Sequence, residues 1–156
     1  MRFIFITLSA LLIVFFFAPW LDLQRYVGVT MSGATIGINL DKLEPVKGYL
    51  RTDDLSFLKI SYLLYVIPLF ALIHIVSNLL NKKGWILRLD YLFSLIAVII
   101  TQRIVAYLYE NADDVVRRVY PKGFSSWGIN ACLYASIAGL ALQIIFFLSG
   151  KRKASQ

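Results

Sequence analysis

The chain has 156 residues, of which 59% are hydrophobic and 16% charged, and its formal net charge is +7. Soluble globular domains average about 45–50% apolar and about 25% charged residues, so this composition argues against a water-soluble fold. A chain of this length is expected to form a single domain, 1–156. With one cysteine, Cys132, the sequence excludes an internal disulfide and a multi-thiolate metal site.

Four apolar stretches are long enough to cross a bilayer. A helix rises about 1.5 Å per residue, so roughly 20 mostly apolar residues cross about 30 Å of hydrocarbon. We therefore predict an all-α membrane protein, a four-transmembrane-helix bundle with a small β-hairpin in the first extracytoplasmic loop. The predicted spans are about 3–21, 60–80, 91–109 and 127–148, joined by outer loops 22–56 and 110–126 and by a cytoplasmic loop, 81–90.

The first span follows directly after Met1-Arg2. Its apolar run, 3–18, is longer than the about 7–15 residues of a signal-peptide core, and Pro19-Trp20 follows it instead of a small-residue cleavage site. We therefore expect the segment to be retained as a span. Its phenylalanines favour a lipid-facing position: Phe3, Phe5, Phe15, Phe16 and Phe17.

The first outer loop contains a predicted hairpin. Residues 35–40 alternate apolar and polar side chains as a half-buried strand does, and residues 26–30 precede them across a Met-Ser-Gly-Ala turn. A lone two-stranded hairpin is only marginally stable in water. The hairpin face is therefore expected to pack against the second outer loop or to contact a partner protein by β-augmentation. That face carries Ile36, Ile38 and Leu40.

Polar side chains in the second and fourth spans form a candidate intramembrane site. His74 and Asn78 are one turn apart on one helix face, and Gln143 should lie at a similar depth in the fourth span. Such residues serve either as interhelical hydrogen-bonding contacts or as a proton relay or ligand site. Haem ligation by two histidines is excluded because the chain has one histidine.

Arg103 is the one charged residue within the predicted spans. Its long side chain could extend toward the outer boundary, where Glu110 lies on the same helix face. Alternatively, Arg103 faces inward and binds an anionic lipid, a substrate or a buried carboxylate. Beyond it, acidic residues 113–114 precede arginines 117–118 by four positions, which predicts that the third span continues outward by about two turns before Pro121 and Gly123 end it.

The fourth span carries small residues at every fourth position. They allow close backbone approach, so this helix is expected in the centre of the bundle or at an oligomer contact. The candidate packing face consists of Gly128, Ala131, Cys132, Ala135, Ser136 and Gly139.

The positive charges indicate the direction of threading. The two termini and loop 81–90 together carry seven lysines and arginines and one acidic residue, Asp90, which gives a net charge of +6. The charged residues on the other side sum to a net charge of zero. Positive residues concentrate in the cytoplasm, so both termini are predicted to be cytoplasmic. The basic character of the chain is thus a topology signal, and we expect no nucleic-acid partner.

The layout resembles that of claudins: four spans, inward termini, a first outer loop with strands after a tryptophan, and a shorter second loop. The claudin signature of Trp-Gly-Leu-Trp and two cysteines is absent, since this loop reads Trp20-Leu-Asp-Leu, so no residue and no junction function is carried over. The Pro19-Trp20 entry and the stretch 123–127 also resemble small bacterial four-span proteins, which favours a bacterial inner membrane.

No catalytic motif is present in the sequence. It lacks Cys-x-x-Cys, a glycine-rich phosphate loop and His-Glu-x-x-His, and we expect neither an enzyme nor a cofactor. The leading hypothesis is a non-catalytic accessory or scaffold subunit of a larger membrane complex, which contacts the lipid bilayer and other membrane subunits through its spans and first outer loop. The alternative is a small transporter or channel protomer whose intramembrane polar residues line a path.

Overall fold

The computed structural model of the chain describes residues 2–36, 38, 56–80 and 89–154. Most of the described elements are helical, and two short strands form one antiparallel sheet. In chain order the elements are α1 (Arg2–Phe17), β1 (Pro19–Leu23), α2 (Gln24–Val27), β2 (Val29–Ser32), α3 (Gly33–Ile36), a 3₁₀ helix (Ser56–Tyr65), α4 (Val66–Leu79), α5 (Asp90–Glu110), α6 (Asp114–Val119) and α7 (Trp127–Ala154).

Three helical stretches are long and apolar enough to cross a membrane: Tyr62–Leu79, Asp90–Glu110 and Trp127–Ser149. They coincide with the second, third and fourth predicted spans. The helix α1 is equally apolar, but its 16 residues end at Phe17, and at about 1.5 Å per residue they cover only about 24 Å. The helix stops there because Pro19 restricts the residue before it and opens strand β1. A fourth crossing by α1 stays a prediction.

The hairpin lies earlier in the chain than the sequence pattern indicates. Strand β1 pairs antiparallel with β2, with Leu23 opposite Val29. Strand pairing was expected at 35–40, and this is wrong at Thr35 and Ile36, which belong to the helical turn α3. Ser32 N donates to Thr35 Oγ1 at 2.8 Å, a local side-chain bond that favours a turn over a strand. The alternation of apolar and polar residues gives no information about that competing hydrogen bond.

The two outer loops join into one structure, here called the cap: β1, α2, β2, α3 and residues 111–126. The backbone N–H of Asp22 donates to Phe124 O, and the N–H of Ser126 donates to Trp20 O, both at 2.9 Å. Leu21 lies opposite Ser125 as an isolated bridge. Strand β1 is therefore hydrogen-bonded along both of its edges, to β2 on one side and to the second outer loop on the other.

The second outer loop contains a separate helix. The third span was expected to continue outward by two turns, which is wrong: α5 ends at Glu110, and α6 begins only at Asp114. The Arg117 side chain donates from Nε to Ala112 O at 2.8 Å, which holds the intervening turn. Gly123 then reverses the chain with φ of 85°, a left-handed conformation that suits glycine.

The core lies where α1 packs between α4 and α7, and α7 also packs against α5. The expectation that α1 is lipid-facing is wrong on one face, because Phe16 and Leu12 are fully buried. On the other face Phe3 and Phe17 are exposed, and their contact with lipid stays a prediction. Where α7 faces α5, the Tyr91 ring packs directly against Gly139, and a Cβ at position 139 would overlap the ring. Small residues therefore set the spacing of α7 from its neighbours.

Candidate functional site: a buried polar cluster

The polar cluster is centred on Asp90, the first residue of α5. Asp90 was expected among the charges of the cytoplasmic loop 81–90, but only 3% of its surface is accessible. A buried carboxylate must be neutralised or hydrogen-bonded, because its transfer out of water is costly. The residues around Asp90 satisfy both conditions.

His74 on α4 contacts one oxygen of that carboxylate. The pair joins His74 Nδ1 to Asp90 Oδ2 across the end of the bundle at which α4 finishes and α5 starts. His74 is itself buried, with 5% of its surface accessible. A hydrogen bond between imidazole and carboxylate offsets part of the cost of burying the two groups in an apolar interior.

Gln143 on α7 holds the second oxygen. Its Nε2 donates to Asp90 Oδ1 at 2.6 Å, so a single carboxylate links three helices. Asn78, one turn after His74, donates its side-chain amide to the backbone carbonyl of His74 at 2.9 Å. The structure therefore brings His74 and Gln143 together through Asp90, whereas Asn78 supports the backbone beside them.

Aromatic side chains enclose the pair. The Phe5 ring stacks on the His74 ring with centroids 5.6 Å apart, and the Tyr91 ring meets it edge-on at 5.3 Å. The Tyr91 hydroxyl lies 3.1 Å from Ser9 Oγ and donates to Phe5 O at 3.2 Å. These contacts bring α1 into the same cluster, so all four long helices of the described structure meet there.

Arg103 does not belong to this cluster. Its side chain is exposed on the outer surface of α5. In the described part of the chain, no ion pair joins it to Glu110. Arg103 therefore does not face the inside of the bundle, as the alternative prediction required.

The candidate packing face of α7 lies within the bundle. Five of its six residues are buried and Ala131 is half-buried. Gly128 approaches Ala18 and Pro19, and Cys132 Sγ lies 3.8 Å from Leu12 O on α1. Because these residues pack against the chain itself, they are not free to contact another subunit.

The three hairpin positions separate in the structure. Ile36 is buried in the cap, Ile38 is 60% exposed, and Leu40 lies outside the described residues. The predicted common face of Ile36 and Ile38 is wrong for this pair, because Ile36 belongs to α3 and Ile38 to the turn after it. Ile38 is thus the described member that remains accessible to a partner.

Chemically, the cluster can hold a proton and hydrogen-bond four helices together. Within residues 2–36, 38, 56–80 and 89–154, no group of three or more His, Cys, Asp or Glu side chains is placed to hold a metal ion. Sequence reasoning identified His74, Asn78 and Gln143 but missed Asp90, Tyr91 and Ser9. Asp90 directly adjoins the predicted third span, but a carboxylate beside a basic loop is equally typical of a solvated position.

Comparisons with protein-family models, with curated proteins and with solved structures each returned no match. The function is therefore inferred from this chain's own geometry. Two features carry that inference: the polar cluster inside the bundle and the cap that joins the outer loops.

Proposed function

We propose that this protein is a non-catalytic accessory or scaffold subunit of a larger complex in a bacterial inner membrane. In this proposal α1 is the fourth crossing, both termini are cytoplasmic and the cap lies outside. The cap supplies the missing length of α1, since β1 is hydrogen-bonded along both edges and can enter the interface. The lipid bilayer and other membrane subunits are its partners.

The joined cap is the observation that carries this proposal. Two loops that are distant in sequence are fixed to each other by backbone hydrogen bonds, and Trp20 is fully buried between them. A surface that is already ordered loses little entropy on binding, which favours recognition. Two large apolar side chains stay accessible, Val115 on the cap at 61% exposure and Ile38, two residues after α3, at 60%.

The polar cluster has a structural role in this proposal. A carboxylate that is held by both His74 and Gln143 ties three helices at one end, and the Tyr91 contacts add α1. The bundle then serves as a fixed support for the cap. Such a role needs no path through the membrane and no chemical step.

The test is co-purification of the complex after mild detergent extraction, followed by native gels and mass spectrometry. Wild-type chain should migrate as a complex with defined partner proteins, and Ile38→Asp or Val115→Asp should reduce partner recovery at least fivefold. Lys122→Asp, at another exposed outer position, is the matched control and should retain the partners. A strictly monomeric, partner-free particle, or equal loss in the control, would overturn the proposal.

A second candidate function is a small transporter or channel protomer. The buried His74–Asp90 pair favours it, because ionisable groups inside a bundle often mark proton or ion pathways. Arg103, on the outer surface, would not line that path. Flux in proteoliposomes that is lost in His74→Ala and kept in Arg103→Ala would support this candidate, and no flux under any ion or proton gradient would remove it.

A further inference from the structure

A groove lies on the outside of the bundle between α1 and α7, at the end where α1 begins. It is an open groove with a volume of about 360 Å³. Thr7 is its single polar residue. The lining consists of Phe3, Ile4, Thr7, Leu8, Ala138 and Leu142.

The occupant of such a groove follows from the solvent that surrounds it. A groove between spanning helices faces hydrocarbon, and an empty apolar space forfeits the dispersion contacts of its lining. A lipid acyl chain restores those contacts at no cost in polar desolvation. The groove, lined by apolar side chains apart from Thr7, matches a chain of methylene groups in polarity.

Charge decides which lipid the groove favours. The helices α1 and α7 are antiparallel, since Phe5 contacts Phe146 near one end and Phe15 contacts Trp127 near the other. Arg2 opens α1, and the basic run 151–153 lies in the last turns of α7, so both basic segments belong to the groove's end of the bundle. The sequence has no Asp or Glu in 1–18 or 127–156 to offset them.

We propose that the groove binds one acyl chain of an anionic glycerophospholipid, whose phosphate-bearing headgroup lies at the level of the basic ends of α1 and α7. The basic run begins nine residues after Leu142, which is about 13.5 Å along a helix. That separation is close to the roughly 15 Å of hydrocarbon in one leaflet, so an acyl chain that extends along the groove leaves its headgroup near these residues. Clusters of lysine and arginine at a membrane surface attract anionic lipids.

The test is native mass spectrometry of the full chain, purified and then equilibrated with phosphatidylglycerol and phosphatidylcholine of identical acyl chains. Wild type should retain one phosphatidylglycerol roughly tenfold more often than one phosphatidylcholine. Ala138→Leu fills the groove and should lower retention of both lipids at least fivefold. Ala141→Leu adds the same side chain at an exposed position that does not line the groove and should leave retention unchanged.

The headgroup part is tested separately. Replacement of Arg2, Lys151, Arg152 and Lys153 by Gln should abolish the preference for phosphatidylglycerol while one lipid of either kind is still retained. Arg118→Gln with Lys122→Gln, which changes charges on the cap, should keep the preference. Equal retention of the two lipids by wild type, or unchanged retention in Ala138→Leu at an unaltered melting temperature, would overturn the proposal.

Discussion

Gln143 donates a hydrogen bond of 2.6 Å to Asp90, although 53 residues separate them in the chain. The other oxygen of the same carboxylate contacts His74. One acidic residue at the start of α5 thus connects α4 with α7. Because charged groups are costly in an apolar interior, these contacts should depend on one another energetically.

Loss of His74 should be the most destabilising change in the cluster. His74→Phe keeps an aromatic ring against Phe5 but leaves the Asp90 carboxylate buried without its neutralising partner, which costs about 3–5 kcal/mol. Thermal unfolding in detergent, followed by tryptophan fluorescence, measures the loss. Asn78→Ala is the control, since it removes one neutral bond to a backbone carbonyl and should cost only about 0.6 kcal/mol.

The double variant His74→Phe with Asp90→Asn should recover part of that stability. Asn at position 90 carries no charge to neutralise, so the two changes should be less costly together than the sum of the single changes, by about 0.5–3 kcal/mol. A double-mutant cycle on the same unfolding transition gives the coupling energy. Strict additivity would show that the pair has no energetic interaction and would contradict the cluster's role.

Gly139→Ala should destabilise the contact between α5 and α7. A Cβ at position 139 overlaps the Tyr91 ring, and overpacking of this kind costs about 1–3 kcal/mol. Adding Tyr91→Leu should relieve the overlap, so the alanine should be better tolerated in that background. Ala141→Leu, exposed on the same helix, should change stability by less than about 0.5 kcal/mol. A Gly139→Ala protein as stable as wild type would show that this spacing is wrong.

Trp20 should be essential to the cap in a way that Trp127 is not. Trp20 is fully buried, its indole N–H donates to Phe15 O at 2.7 Å, and its carbonyl accepts from Ser126. Trp20→Ala should cost about 3–5 kcal/mol and should expose the outer loops to added protease. Trp127→Ala, at a 57% exposed site, should leave the protease pattern unchanged. Equal sensitivity of the two variants would contradict the buried arrangement of the cap.

Arg103→Gln should have almost no effect on folding. The side chain is exposed on α5, and surface substitutions away from special features usually change stability by less than about 0.5 kcal/mol. The melting temperature in detergent and the partner recovery described above are both readouts. A large loss of either one would mean that Arg103 has a partner inside the bundle or in the complex.

Hydropathy located the long helices because the transfer of some 20 apolar residues to lipid outweighs every local preference. The predicted bounds of the third and fourth spans, 91–109 and 127–148, lie inside the observed α5 and α7. The first helix ends before the end of the predicted span 3–21, since the apolar residues after Pro19 satisfy a hydropathy window equally well as a strand. Their pairing with residues 124–126 is set by contacts a hundred residues away, which a local pattern does not contain.

Only part of the polar cluster was predictable from the sequence. His74 and Gln143 were recognisable as costly polar residues within apolar stretches. Asp90 was not, because a carboxylate next to a basic loop fits a solvated position equally well, and its burial depends on how α4 folds back onto α5. The strand prediction failed at Thr35 and Ile36 for a related reason: the bonds of Thr35 to Ser32 favour a turn, which the alternation of apolar and polar residues does not reveal.

In the proposed topology α1, α4, α5 and α7 all cross the membrane, with both termini on one side. Single cysteines introduced in a Cys132→Ala background, and labelled in intact cells with a membrane-impermeant maleimide, test it most directly. Ile38→Cys and Lys122→Cys should react from outside, whereas a cysteine in an N-terminal tag, Lys83→Cys and Gln156→Cys should react only after permeabilisation. If the N-terminal cysteine labels together with Ile38→Cys, α1 does not cross; if Lys83→Cys labels with them, the proposed threading is wrong.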